Sequence, residues 1–173
     1  MKPEKVIGDL LREKGWTVSV AESCTGGLIC DRITDAPGSS DYFMGGMVTY
    51  SNESKAKHLG VPPVDLRKYG AVSPQVAKKM AQGIRNTFNT TFGLSTTGVA
   101  GPTGGTKEKP VGLVFIGLTN GKKTWVKKLK LGGSRREIKE QASERCLQFF
   151  HNYITPTLKE KRTKNETQFE KNI

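Results

Sequence analysis

A three-layer α/β/α sandwich around a mixed, mostly parallel sheet with an antiparallel hairpin is the α/β fold this sequence predicts, on three observations. Helix-patterned and strand-patterned segments alternate along most of the chain, the order that builds an α/β domain. Val111 to Leu118 is an almost unbroken apolar run, as a strand covered on both faces requires. Asn120-Gly121 then leads into Lys123–Leu131, and that dipeptide between two strand-like runs marks a tight hairpin.

Each element has its own signal. Pro3 to Lys14 carries Val6, Leu10 and Leu11 at helical spacing and stops at Gly15. Trp16 to Ala21 is strand-like, and past Gly26 the run Leu28 to Ile33 is helix-like. Asp35 to Ser40 is a turn cluster. Tyr42 to Tyr50 is a second apolar stretch, whose Gly45-Gly46 pair suggests a bulge or a close backbone contact. Asn52 to Leu59 reads as a short helix closed by Gly60, with Pro62-Pro63 in the loop beyond it. Ser73-Pro74, an N-cap and a proline at the first helical position, opens a helix to about Phe88. Phe92 to Thr97 is a strand. The last helix starts at a capping box, Ser134-Arg135-Arg136-Glu137, and buries Ile138, Ala142, Cys146, Phe149, Phe150 and Tyr153. Residues 1–155 make one domain without an internal repeat. From Pro156 the chain is polar and mixed in charge, so 156–173 is expected to be a disordered tail.

Composition narrows the function classes. The chain is 173 residues long, enough for one domain with a full core. No apolar run approaches the ~20 residues of a membrane helix, and the N-terminus lacks a signal-peptide core, so no membrane partner is expected. Cys24, Cys30 and Cys146 are odd in number and lack C-x-x-C spacing, which supports neither a disulfide framework nor a zinc site and points to a reducing, cytoplasmic setting. The net charge of +12 would suit nucleic acid, an anionic substrate, or solubility alone. Lys128 and Lys130 alternate with apolar residues as a solvated strand face would. No aromatic RNA platform or zinc-finger spacing accompanies them, so charge alone does not make a nucleic-acid binder.

Three stretches can carry chemistry. In Ala21-Glu22-Ser23-Cys24-Thr25-Gly26-Gly27, Ser23 stands where a strand ends and a helix begins. Unpaired amides and the helix dipole there favour negative charge, and Thr25, Gly26 and Gly27 are small enough for a ligand to approach. Ser23 is either a nucleophile beside an oxyanion site or simply the N-cap of the helix. The loop Thr97-Gly98-Val99-Ala100-Gly101-Pro102-Thr103-Gly104-Gly105-Thr106 joins two strands and is either a phosphate cradle or a flexible connection. It lacks the Gly-Lys-Ser/Thr ending of a Walker loop, and a strand rather than a helix follows it. In Tyr50-Ser51-Asn52-Glu53-Ser54-Lys55, Lys55 falls early in a helix, where its charged form is disfavoured. It is a base toward serine or a solvated lysine, and Tyr50 is a proton carrier or a strand-end packing residue.

Together these three stretches and Lys109-Pro110-Val111-Gly112 resemble the CinA C-terminal domain family, in the family's order, over about Lys5 to Phe150. That family includes stand-alone nicotinamide-nucleotide amidases; its larger members carry an additional N-terminal domain, for which this length leaves no room. The resemblance implies a serine amidohydrolase acting on nicotinamide mononucleotide, with Ser23 as nucleophile and Tyr50 and Lys55 completing the catalytic group. It implies that no metal or redox cofactor is needed. Thr25, Gly26, Gly27, Thr97, Gly98, Ala100, Gly101, Gly104 and Gly105 would line the nucleotide site, and Arg135 or Arg136 would meet the 5′-phosphate. Ser54 replaces the alanine frequent in the family, a change that a helix surface tolerates. A nucleotide-binding regulatory module of the same fold is the alternative, since fold does not fix function. Exposed sheet or helix faces leave room for a homo-oligomer.

Overall fold

The computed structural model describes residues 3–170, with side chains described as far as residue 155. The segment 156–173, expected to be a disordered tail, lies outside the described side chains. Helix α1 (Pro3–Lys14) buries Ile7 and Leu11, and Gly15, at φ +61°, ends it. Strand β1 (Val18–Glu22) is buried along its whole length. Helix α2 (Leu28–Thr34), strand β2 (Phe43–Val48) and helix α3 (Asn52–Leu59) follow, the last closed by Gly60. The loop expected beyond Gly60 holds a further helix, α4 (Pro63–Tyr69). Adjacent prolines read as coil because they break a helix that precedes them. Pro63 instead occupies the first helical position, where its fixed φ and missing N–H cost nothing.

Helix α5 (Pro74–Phe88) begins as expected at Ser73, whose hydroxyl accepts from the Val76 N–H. Strands β3 (Phe92–Gly98), β4 (Leu113–Thr119) and β5 (Thr124–Lys130) complete the sheet, and helix α6 (Arg135–Glu170) ends the described chain. The capping box at its start forms: Ser134 N–H donates to the Glu137 carboxylate at 2.7 Å, and Glu137 N–H donates to Ser134 Oγ at 3.4 Å.

The sheet order is β2-β1-β3-β4-β5. β1 is parallel to both β2 and β3, whereas β4 is antiparallel to β3 and to β5. Four strands therefore share one direction. The period-two alternation of the strands sorts side chains between two helical layers. Val18, Val20, Leu94, Ile116 and Leu118 pack against α1, α2 and α6. Ala21 joins Leu59, Leu66, Val76, Met80 and Ile84 beneath α3, α4 and α5. β5 is an edge strand, and its exposed Lys127, Lys128 and Lys130 guard that edge against pairing with another chain. No helix among the described residues is long and apolar enough to cross a membrane.

Helices α3 and α5 touch at Gly83, where an added Cβ would lie 2.0 Å from the Leu59 carbonyl oxygen. Gly83→Ala must therefore push α3 away from the sheet. The expected cost is about 1–3 kcal/mol of stability, read from denaturant unfolding, with a loss of whatever activity depends on α3.

The topology also says where a ligand belongs. The chain leaves β1 through α2 on one face of the sheet and passes from β2 to β3 through α3–α5 on the other. In open α/β sheets the crevice lies at the carboxyl ends of strands where connections diverge in this way. The residues following β1 and β2, and the end of β3, meet at that edge.

Candidate active site

Glu22, the last residue of β1, is completely buried. Its carboxylate accepts from the N–H groups of Gly27 (3.0 Å), Ile29 (3.1 and 3.2 Å) and Cys30 (2.8 Å). These are the amides that the start of α2 would otherwise leave unpaired. The anion-friendly helix end expected beside Ser23 is thus already occupied from within the chain. Gly26 N–H is engaged as well, donating to the Ser23 carbonyl at 3.1 Å. In this turn the amides of Cys24, Thr25 and Leu28 donate to no other residue among those described, and of the three Cys24 and Thr25 adjoin Ser23, where an oxyanion would form. Gly26 and Gly27 sit at φ +64° and +99°, conformations that favour glycine.

Ser23 directly extends β1, its N–H donating to the Thr96 carbonyl of β3 at 3.0 Å. Its side chain is 8% exposed and meets Lys55 Nζ at 3.0 Å. Lys55 reaches it from the inward face of α3, which it shares with Leu59 one turn on. The lysine is 1% exposed, and Nζ also donates to the carbonyls of Thr49 (2.8 Å) and Tyr50 (3.1 Å). Burial lowers its pKa to about 8, because the charged form has lost its water. A neutral amine has two N–H donors and one lone pair. With the two donors on the Thr49 and Tyr50 carbonyls, the lone pair is left facing the Ser23 hydroxyl. This is the arrangement a general base needs. Thr49 Oγ1 lies buried beside this group without a partner among the described residues.

Tyr50 enters the site through its backbone. Its side chain is 59% exposed, and its hydroxyl accepts from Arg135 at 2.8 Å. A second Arg135 nitrogen donates to the Gly101 carbonyl at 2.6 Å, so this arginine ties Tyr50 to the glycine-rich loop. Arg136 instead pairs with Glu140 on the exposed face of α6. Thr25 and Thr97 contribute buried side chains: Thr25 Oγ1 bonds Thr96 Oγ1 at 2.7 Å, and Thr97 Oγ1 donates to the Ala71 carbonyl at 2.9 Å. Gly98 ends β3 where a Cβ would lie 2.6 Å from the Leu113 carbonyl oxygen, and Ala100 packs into the core. Gly104 and Gly105 are exposed in the loop and are joined to neither Ser23 nor Lys55 by a hydrogen bond among the described residues. Sequence reasoning missed Glu22. An acidic residue a few positions ahead of a helix start was the signal available for it.

A sequence model of the CinA C-terminal domain matches residues 1–154. A Clostridium kluyveri protein is 53% identical over 154 residues, covering 89% of this chain, and the chain spans 38% of that relative's length. A CinA-like protein from Kosmotoga olearia is 51% identical over 153 residues, covering 88% of this chain and 37% of its own. Among solved structures, a competence/damage inducible protein from Agrobacterium tumefaciens superposes with a TM-score of 0.84 at 37% identity, covering 86% of this chain and 91% of that one. A CinA superfamily protein from Enterobacter cloacae superposes with a TM-score of 0.85 at 28% identity, covering 88% and 90%. The sequence match spans every residue of the Ser23–Lys55 site, and the chain belongs to the CinA C-terminal domain family.

Proposed function

We propose that this chain is a serine amidohydrolase that converts nicotinamide mononucleotide to nicotinate mononucleotide and ammonia. The observation that carries this reading is the 3.0 Å contact between Ser23 Oγ and the buried Lys55 Nζ. Neutral Lys55 takes the Ser23 proton as Oγ attacks the carboxamide carbon, and the Cys24 and Thr25 amides hold the developing oxyanion. The same lysine then returns the proton to the leaving nitrogen, so that ammonia departs and an acyl-enzyme remains. Water, deprotonated by Lys55, attacks the ester. Lys55 then hands that proton to the departing Ser23 Oγ, which releases nicotinate mononucleotide and restores free Ser23 and the neutral base. The positively charged pyridinium of the substrate withdraws electrons from its carboxamide, which favours attack by an oxygen nucleophile. Because Lys55 touches Ser23 directly, no relay through the Tyr50 hydroxyl is required. Tyr50 holds Lys55 by its carbonyl and faces the crevice mouth with its ring.

The test is release of ammonia and nicotinate mononucleotide from nicotinamide mononucleotide without added metal, with Ser23→Ala alongside. Release by the wild type and not by the variant supports both reaction and nucleophile. No release from a folded wild type, with nucleotide still bound, would favour a binding module instead.

The lowered pKa of Lys55 sets the pH dependence. The base works only when deprotonated, so kcat/KM is expected to fall about tenfold for each pH unit below about 8 and to level off above it. A flat profile between pH 6 and 8 would remove Lys55 as the base.

A further inference from the structure

Helix α6 brings a second cation toward the crevice. Lys139 lies one helical turn beyond Arg135, so the two side chains share a face. It is half-buried, and its Nζ has neither a carboxylate nor a hydrogen-bond acceptor among the described residues. The nearby acidic groups are engaged elsewhere: Glu22 with the α2 amides, Glu137 in the capping box, Glu140 with Arg136, and Glu144 with Arg32. Lys139 stands over the turn that follows Ser23, where a Cβ on Gly26 would lie 3.4 Å from Nζ. Its charge is felt at Cys24, next to the nucleophile, where it opposes the rise that burial imposes on the thiol.

An ammonium held half out of water against bare glycine backbone, with no anion of the chain beside it, is poised for an anion that arrives with a ligand. Arg135 is differently placed, because two of its N–H groups already hold Gly101 and Tyr50. Arg136 faces away with Glu140. We propose that Lys139 is the residue that binds the 5′-phosphate of the nucleotide substrate, approached across the side-chain-free surface of Gly26. The proposal rests on the amidase reading above. It makes Arg135 a positioning residue for Tyr50 and the glycine-rich loop, and it leaves Arg136 outside the site.

The test is calorimetric binding of nicotinamide mononucleotide and of nicotinamide riboside, which lacks the phosphate, to the full chain carrying Ser23→Ala so that neither is consumed. Adding Lys139→Ala is expected to raise the Kd of the mononucleotide about tenfold or more, the worth of one charge-assisted hydrogen bond. The Kd of the riboside should stay within about twofold, and Lys139→Arg should recover most of the lost affinity. Equal weakening of both ligands, an unchanged mononucleotide Kd, or no mononucleotide binding to the Ser23→Ala chain would each overturn the proposal. Failure of the amidase reading shows separately: the wild type would release no ammonia while the phosphate-dependent shift in Kd persisted, and the phosphate site would stand.

Discussion

Lys55→Met is expected to lower amide turnover by about 10⁴-fold or more while the protein stays folded. The size follows from other nucleophile–base pairs, in which removing either member costs nearly as much as removing both. Ser23 cannot replace the lost base from its surroundings, because Lys55 Nζ is the one basic group bonded to it among the described residues. Stability is governed by two opposing effects. In the folded state the pKa of Lys55 falls from 10.5 to about 8, so below pH 8 the lysine is charged in both folded and unfolded chains. There the folded state bears the full burial penalty, on the order of 3 kcal/mol, and this penalty is relieved only as pH rises from 8 toward 10.5. Methionine removes it. It also leaves the carbonyls of Thr49 and Tyr50 without their donor, at about 1–3 kcal/mol each. The two effects nearly cancel at neutral pH, so Tm should change little there. Full activity in a folded Lys55→Met protein would remove lysine from the mechanism; a collapse of Tm would mean that its role is structural.

Glu22→Ala is expected to produce the largest stability loss of any single substitution near the site, about 3–5 kcal/mol. Its carboxylate satisfies three amides at the start of α2, that of Ile29 buried and those of Gly27 and Cys30 partly so, and alanine leaves all three without this acceptor. Glu22→Gln should recover only part of the loss. Its amide oxygen can accept from some of these N–H groups, but its NH₂ must then face the others. The same turn carries Ser23, so activity should fall with the cap even under conditions where the variant remains folded. Chemical denaturation of the two variants reads this directly. A loss below about 1 kcal/mol for alanine would mean that water or a shifted α2 supplies the missing acceptor.

Much of the architecture was legible because its signals are local. Gly15 and Gly60 end α1 and α3, Ser73-Pro74 starts α5, and Ser134 and Glu137 cap α6, each through contacts within a few residues. The exception, α4, shows the limit: Pro62-Pro63 has a coil-like composition, and its helix is held by packing Leu66 beneath α5. Residues of the site divided in the same way. Ser23 sits at a strand-to-helix turn, as its flanking patterns require. The Thr97 hydroxyl donates to the Ala71 carbonyl of the α4–α5 connection, a partner 26 positions away that its own strand pattern does not reveal. The Tyr50 phenol accepts from Arg135, 85 positions away, a contact that no local pattern announces.

By itself the sequence determined the order of elements, the split between buried and solvated faces, and the presence of a serine, a lysine and two glycine-rich turns at strand ends. Those properties follow from periodicity and from the backbone preferences of glycine and proline, which act over a few residues. Only the tertiary structure decided that Lys55 faces Ser23, that Glu22 rather than a ligand fills the start of α2, and that Arg135 and Lys139 turn toward the crevice while Arg136 does not. The physical reason is that hydrogen bonds and burial at the site join β1, α3 and α6. Their mutual placement is set by packing on opposite faces of one sheet, which no local pattern encodes.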